Sequence, residues 1–82
     1  MSQQPEFDAD TLRVYEYVRD YLRLNRLSPT LREIADYCYL AHSTASFKLS
    51  KLEAKGWIVR ELNMPRSIRL GEQAPDYLPD PE

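Results

Sequence analysis

Ser43, Thr44, Ser46, Phe47, Lys48 and Lys51 fall within one short stretch of an 82-residue chain, and their types suit recognition of a nucleic acid. Hydroxyls pair with several base-edge atoms, and lysines suit phosphates or guanine. An aromatic ring or a threonine methyl can pack on the methyl of thymine. Reaction chemistry has much less to work with. His42 and Cys38 are the lone histidine and the lone cysteine, four residues apart across a turn, which is poor geometry for a dyad. No glycine-rich phosphate loop, metal-spaced cluster or carboxylate pair is visible. The expectation is therefore no enzymatic activity, no metal, no cofactor and no small-molecule ligand.

Those side chains need a helix to present them. Ala45, Leu49 and Leu52 are spaced by four and three, on one face, while Ser43, Thr44, Phe47, Ser50 and Lys51 fall opposite. So narrow an apolar stripe buries one side only, which leaves the other for the DNA major groove. The helix runs from about His42 to Lys55, with Lys55 well placed against the helix dipole and Gly56 as its stop. Phe47 has three readings: a thymine-methyl contact, a core position, or a self-association patch. Lys48 and Lys51 are read as phosphate or guanine ligands, against the plainer alternative of a solvated face. His42 is either a phosphate contact or an ordinary surface histidine.

Ahead of this helix, Thr30-Leu31-Arg32-Glu33 matches the capping box, with glutamate three residues after threonine. A second helix follows to about Cys38, with Ile34 and Ala35 inward. Its start, with Thr30 and Arg32, is expected against the DNA backbone, because open helix-start amides hold phosphate. Tyr39-Leu40-Ala41 forms the turn. The first helix is expected from a cap at Asp10 or Thr11 to about Asn25, burying Leu12, Tyr15, Val18 and Leu22 with Val14 and Tyr21 beside them. Arg26-Leu27-Ser28-Pro29 connects the two. After Gly56, residues 57–62 and 67–70 read as strands around a turn at Asn63-Met64-Pro65-Arg66. Asn63 and Arg66 would occupy the tip of this hairpin, where a side chain reaches the minor groove or the backbone; an ordinary solvated tip is the alternative. Arg69 alternates with Ile68 and Leu70 and turns outward. Trp57 and Tyr15 are core anchors, supplying buried area that a small domain needs. The pattern is mainly α with a small β-hairpin: a three-helix winged helix-turn-helix.

A net charge of −2 sits awkwardly with phosphate binding, but its distribution does not. Residues 42–70 carry six bases and two acids, whereas residues 1–10 and 71–82 carry three and four acids and no base. Screening acts over about 8 Å at physiological salt, so local charge matters more than the total. The expected organisation is an acidic arm over residues 1–9, a folded domain over 10–71, and an acidic proline-rich tail or linker over 72–82. The acidic N-terminus does not resemble a secretory signal, no apolar run is long enough to span a membrane, and one cysteine forms no internal disulfide. Cys38 is read as a buried inert thiol. These features point to the cytoplasm.

The run from Pro29-Thr30 through Glu33-Ile34-Ala35 to Lys55-Gly56, closing with Arg66-Ser67-Ile68-Arg69-Leu70, resembles the N-terminal DNA-binding domain of the LexA repressor family over roughly residues 10–71. The resemblance implies a bacterial- or phage-type winged helix that represses transcription, with two copies on palindromic half-sites about one helical turn apart. There are departures. Tyr39 stands where the family has glycine, Ala41 where the recognition helix has a serine cap, and Phe47 where it has an acidic residue. The family's self-cleaving peptidase domain, with its serine–lysine pair, has no counterpart here, so self-cleavage is not expected.

The function expected is sequence-specific binding of double-stranded DNA by a transcriptional regulator, a repressor or its excised DNA-binding domain. The contacting residues would be Thr30, Arg32, His42, Ser43, Thr44, Ser46, Phe47, Lys48, Lys51, Asn63, Arg66 and Arg69. A winged helix serving as a protein–protein module is the alternative, as is an architectural or replication DNA binder.

Overall fold

Asp8 starts the first helix. In the computed structural model, which describes residues 7–61 and 63–75, its Oδ1 accepts from both the backbone N–H and the hydroxyl of Thr11, at 2.8 and 2.6 Å. Helix α1 therefore spans Ala9–Asn25, with its cap two residues ahead of Asp10 and three ahead of Thr11, the expected caps. Thr11 cannot be the cap because its hydroxyl donates to Asp8 and is buried in the first turn. The early start also brings the end of the expected loose arm into the fold. Phe7 is buried, its ring edge-on to Trp57 with centroids 4.8 Å apart. The rest of the arm, Leu62 and residues 76–82 of the tail lie outside the described residues.

Helix α1 buries Thr11, Val14, Tyr15 and Val18, with Leu12 and Leu22 only partly covered. It ends at Arg26, in the left-handed region at φ 60°. Helix α2 (Leu31–Cys38) opens on the expected capping box and turns Ile34, Ala35 and Cys38 inward. Tyr39 ends it in the left-handed region at φ 57°, and the Leu40 N–H donates back to the Ala35 carbonyl at 2.9 Å. Glycine is the usual residue for that conformation; tyrosine adopts it here at a steric cost of roughly 1–2 kcal/mol.

Helix α3 (His42–Ala54) buries Ala45, Leu49 and Leu52 as expected and packs against both other helices. Gly56, at φ 79°, turns the chain out of α3, and a Cβ there would press on Gln73. Strands β1 (Ile58–Val59) and β2 (Arg69–Leu70) pair antiparallel, Ile58 opposite Leu70 and Val59 opposite Arg69. They are shorter than expected for a physical reason. Beyond Val59, Arg60 is drawn onto α3, where Nε meets Glu53 at 3.2 Å and Nη2 donates to Ser50 at 3.0 Å. The Ser67 hydroxyl then takes the place of a ladder partner, accepting from the Glu61 N–H and donating to the Glu61 carbonyl. The molecule is a three-helix winged helix-turn-helix.

The chain after β2 stays attached. The Gly71 N–H donates to the Trp57 carbonyl at 2.8 Å and the Gln73 N–H to the Gly56 carbonyl at 2.9 Å. A Cβ at Gly71 would collide with that same Gly56 carbonyl. The Tyr15 hydroxyl, from the middle of the core, donates to the Pro75 carbonyl at 2.8 Å. Residues 72–75, expected in a tail, are thus tied to the body of the domain.

Candidate nucleic-acid interface

The outer face of α3 comprises Ser43, Phe47 and Ser50, all exposed, with Thr44 and Lys51 half-buried beside them. Phe47 is 62% exposed, so its core reading is overturned: its position, two residues before Leu49, points it away from the buried stripe. The Lys51 ammonium lies 5.6 Å from the centre of the Phe47 ring, a cation–π distance. His42 is exposed at the first turn. Ala41 is the N-cap and supplies no side-chain hydrogen bond, so the amides of this turn have no capping side chain. Ser43 lies inside the first turn of the helix. Ser46, half-buried on the flank, lines a groove of about 430 Å³ with Leu31 of α2 and with Asn63 and Met64 of the wing.

Two expected contacts are corrected by the fold. Lys48 is buried, and its ammonium meets the Asp8 carboxylate at 3.2 Å on the side of α3 facing α1. It falls one position before Leu49, within the buried arc. Arg66 does not extend from the wing tip. Its guanidinium folds back to the Ser28 carbonyl at 2.9 Å and spans both oxygens of Glu33 at 3.3 and 3.1 Å. In the free protein both cations are paired with carboxylates of the fold.

The start of α2 is equally occupied. The Thr30 hydroxyl accepts from the Glu33 N–H at 3.1 Å, and the Glu33 carboxylate accepts from the Thr30 N–H at 2.9 Å. That N–H, with the Arg66 guanidinium second, holds the Glu33 carboxyl below its ordinary range. An ionised carboxylate at this helix start competes with a phosphate for the same amides. Arg32 is exposed and makes no ion pair among the described residues. Asn63, exposed at φ 61°, and Arg69, exposed on β2, are outward polar groups of the wing.

Sequence reasoning missed the pairings. Of the six bases in residues 42–70, Lys48, Arg60 and Arg66 are engaged with Asp8, Glu53 and Glu33. The surplus of positive charge is smaller than the count along the chain, because Asp8 and Glu33 come from outside that segment. The Asp8 carboxyl is held far below the carboxylate range, first by the Thr11 hydroxyl and N–H and then by Lys48. Burial pushes the Cys38 thiol up, which favours the unreactive protonated form.

Among the described residues no group of three histidine, cysteine or acidic side chains is arranged to hold a metal ion, and no helix is long and apolar enough to cross a membrane.

Comparison with known proteins agrees with this geometry. Residues 9–67 match the family model described as LexA DNA binding domain. The LexA repressor of Herpetosiphon aurantiacus is 36% identical over 59 residues, covering 71% of this chain and 28% of the repressor. That of Carboxydothermus hydrogenoformans is 35% identical over 68 residues, covering 80% and 33%. The LexA repressor of Staphylococcus carnosus is 38% identical over 58 residues, covering 70% and 28%. The chain thus spans about a third or less of the length of the curated relatives it matches. With a match running from the first turn of α1 to the wing, on a three-helix core with a two-stranded wing, this chain belongs to the LexA DNA-binding domain family.

Proposed function

We propose that the chain binds double-stranded DNA sequence-specifically and acts as a transcriptional repressor in the cytoplasm. Helix α3 enters the major groove with Ser43, Phe47 and Ser50 toward the bases. The observation that carries this reading is the exposed outer face of α3, which joins the hydroxyls of Ser43 and Ser50, the latter accepting from Arg60, to an exposed ring and Lys51 beside an uncapped helix start. Phosphate at the amides of His42, Ser43 and Thr44 would satisfy donors that Ala41 leaves open. Phe47 and the Thr44 methyl select thymine through its methyl group. Arg32, Asn63 and Arg69 supply backbone contacts from either side. Two copies bind a palindromic site, since one small recognition face fixes few base pairs.

Selection from a pool of random duplexes at two salt concentrations tests the proposal. Enrichment of a palindromic motif is the expected result. With roughly three to four cations or helix-start contacts replacing counterions, the log–log salt slope is about −3 to −4. Phe47→Ala should relax selection at a thymine, and retention with no enriched motif would refute sequence-specific reading.

A second reading has two observations in its favour: Lys48, Arg60 and Arg66 are already paired within the fold, and Phe47 is an apolar group on an exposed face. A protein-binding module would use that face without phosphate. Lys51→Glu discriminates, because it abolishes duplex binding under the first reading and leaves the steep salt dependence irrelevant under the second.

A further inference from the structure

Arg66 sits in the left-handed region at φ 56°, a conformation that side chains other than glycine adopt only when their surroundings impose it. What imposes it is visible. Nη1 reaches the Ser28 carbonyl at 2.9 Å, the Glu33 Oε1 at 3.3 Å and the Tyr21 hydroxyl at 3.4 Å, while Nη2 reaches the Glu33 Oε2 at 3.1 Å. One planar group thereby touches α1, the connector and α2 from the wing. An exposed ion pair alone contributes little, but a guanidinium fork fits several acceptors at fixed angles, as an ammonium does not. The same connector residue is stitched to the wing a second time: the buried Ser28 hydroxyl accepts from the Ile68 N–H at 3.0 Å and donates to the Pro29 carbonyl at 2.8 Å. Glu33 joins the two systems, since Oε1 also closes the α2 cap by accepting from the Thr30 N–H.

We propose that Arg66 is a positioning residue that locks the wing to the start of α2 through Glu33 and the Ser28 carbonyl, and does not itself contact DNA. The wing's place beside α3 is then set from behind, by the same carboxylate that starts the helix ahead of the recognition turn. For DNA recognition the inference rests on the proposed function; for the free protein it stands alone.

Amide hydrogen exchange on the free chain tests it first. Arg66→Gln should raise exchange at Ile68 by about tenfold while Val18 and Leu49, in α1 and α3, keep their protection, as local opening of one unit does. Glu33→Gln retains an N3 residue able to close the cap and should act at Ile68 as Arg66→Gln does, with the double variant no worse than either. Arg66→Lys should fail to restore protection. Unchanged exchange at Ile68, a uniform rise across all three helices, additive single effects, or full rescue by lysine would each overturn the proposal. Duplex affinity gives the second arm. Arg66→Gln and Glu33→Gln should each weaken binding by about fivefold, with the same non-additivity. Tighter binding by Glu33→Gln would mean that freeing Arg66 creates a phosphate ligand, which also overturns it. If the unaltered chain binds no duplex, the DNA-binding role fails, and the exchange result still decides the lock.

Discussion

The two helices of the helix-turn-helix begin in opposite ways. Helix α2 starts on Thr30, whose hydroxyl and N–H both engage Glu33, and Glu33 in turn engages Arg66. Helix α3 starts on Ala41, which offers its amides no side-chain acceptor. Both starts carry the same positive end of a helix dipole. In α2 that potential is neutralised inside the fold by a carboxylate, and in α3 it faces outward beside His42 and Ser43. A helix start that is completed by its own side chains stabilises the domain; one left incomplete is available to an anion from outside. Helix α1 belongs with α2 here, since Asp8 completes it.

The largest expected effect comes from emptying a completed start. Asp8→Ala removes the α1 cap and leaves the buried Lys48 ammonium without its partner. It should lower unfolding free energy by about 2 kcal/mol, the capping part near 1 and the remainder reduced because Asp8 is exposed. The urea midpoint measures it. Acid should act in the same direction. The folded-state pKa of Asp8 lies below its ordinary 3.8, so its contribution is fully present above 3.8 and is lost progressively as pH falls from there through the lower folded-state value. Glu33 shifts the same way. Midpoints at pH 7 and pH 3 should therefore differ less in Asp8→Ala than in the unaltered protein.

Filling the bare start should separate stability from function. Ala41→Asp supplies the missing cap and is expected to raise stability by about 1 kcal/mol, while setting a carboxylate where a phosphate would bind and weakening duplex affinity about tenfold, some 1.4 kcal/mol. Thermal melts and a binding titration read the two signs. Parallel gains in both would end the contrast between α2 and α3. Emptying the α2 start with Thr30→Ala should lower stability by about 1 kcal/mol, with no opposite gain in binding, because Glu33 and Arg66 still fill the space a phosphate would need.

What was legible from sequence divides along the same line. The capping box lies in four consecutive residues, and the stripe of Ala45, Leu49 and Leu52 lies in eight, so local spacing sufficed for the helices and for the face that α3 turns outward. The absent cap at Ala41 and the non-glycine turn at Tyr39 were visible as departures from a family pattern. Side chains that meet across the fold left no such trace. Asp8 and Lys48 are 40 residues apart, and Glu33 and Arg66 are 33 apart; nothing in either neighbourhood names the other. Lys48 was misassigned for that reason: rotation about the α3 axis sets it at the margin of the buried arc, and only the arrival of Asp8 from the chain start makes burial tolerable. The strands were overread because the apolar run that opens residues 57–62 cannot reveal that Arg60 will leave the ladder for Glu53.

Lys48 also provides the smallest expected effect and the sharpest one for the contrast. Lys48→Met keeps an unbranched apolar stem where the lysine stem packs and removes an ammonium whose partner is itself well exposed. Asp8 retains both bonds to Thr11, so its carboxylate is left neither buried nor unbonded, and stability should stay within about 1 kcal/mol. Duplex affinity and its salt slope should not change, since a cation directed at α1 displaces no counterion from DNA. Lys51→Gln, one turn further along and on the outer face, should flatten the slope by about 0.9. Measured together, the two lysines separate a charge that assembles the domain from one that meets DNA. A flatter slope in Lys48→Met would mean that the Asp8 pair opens on binding, and that the completed start of α1 is then not reserved for the fold.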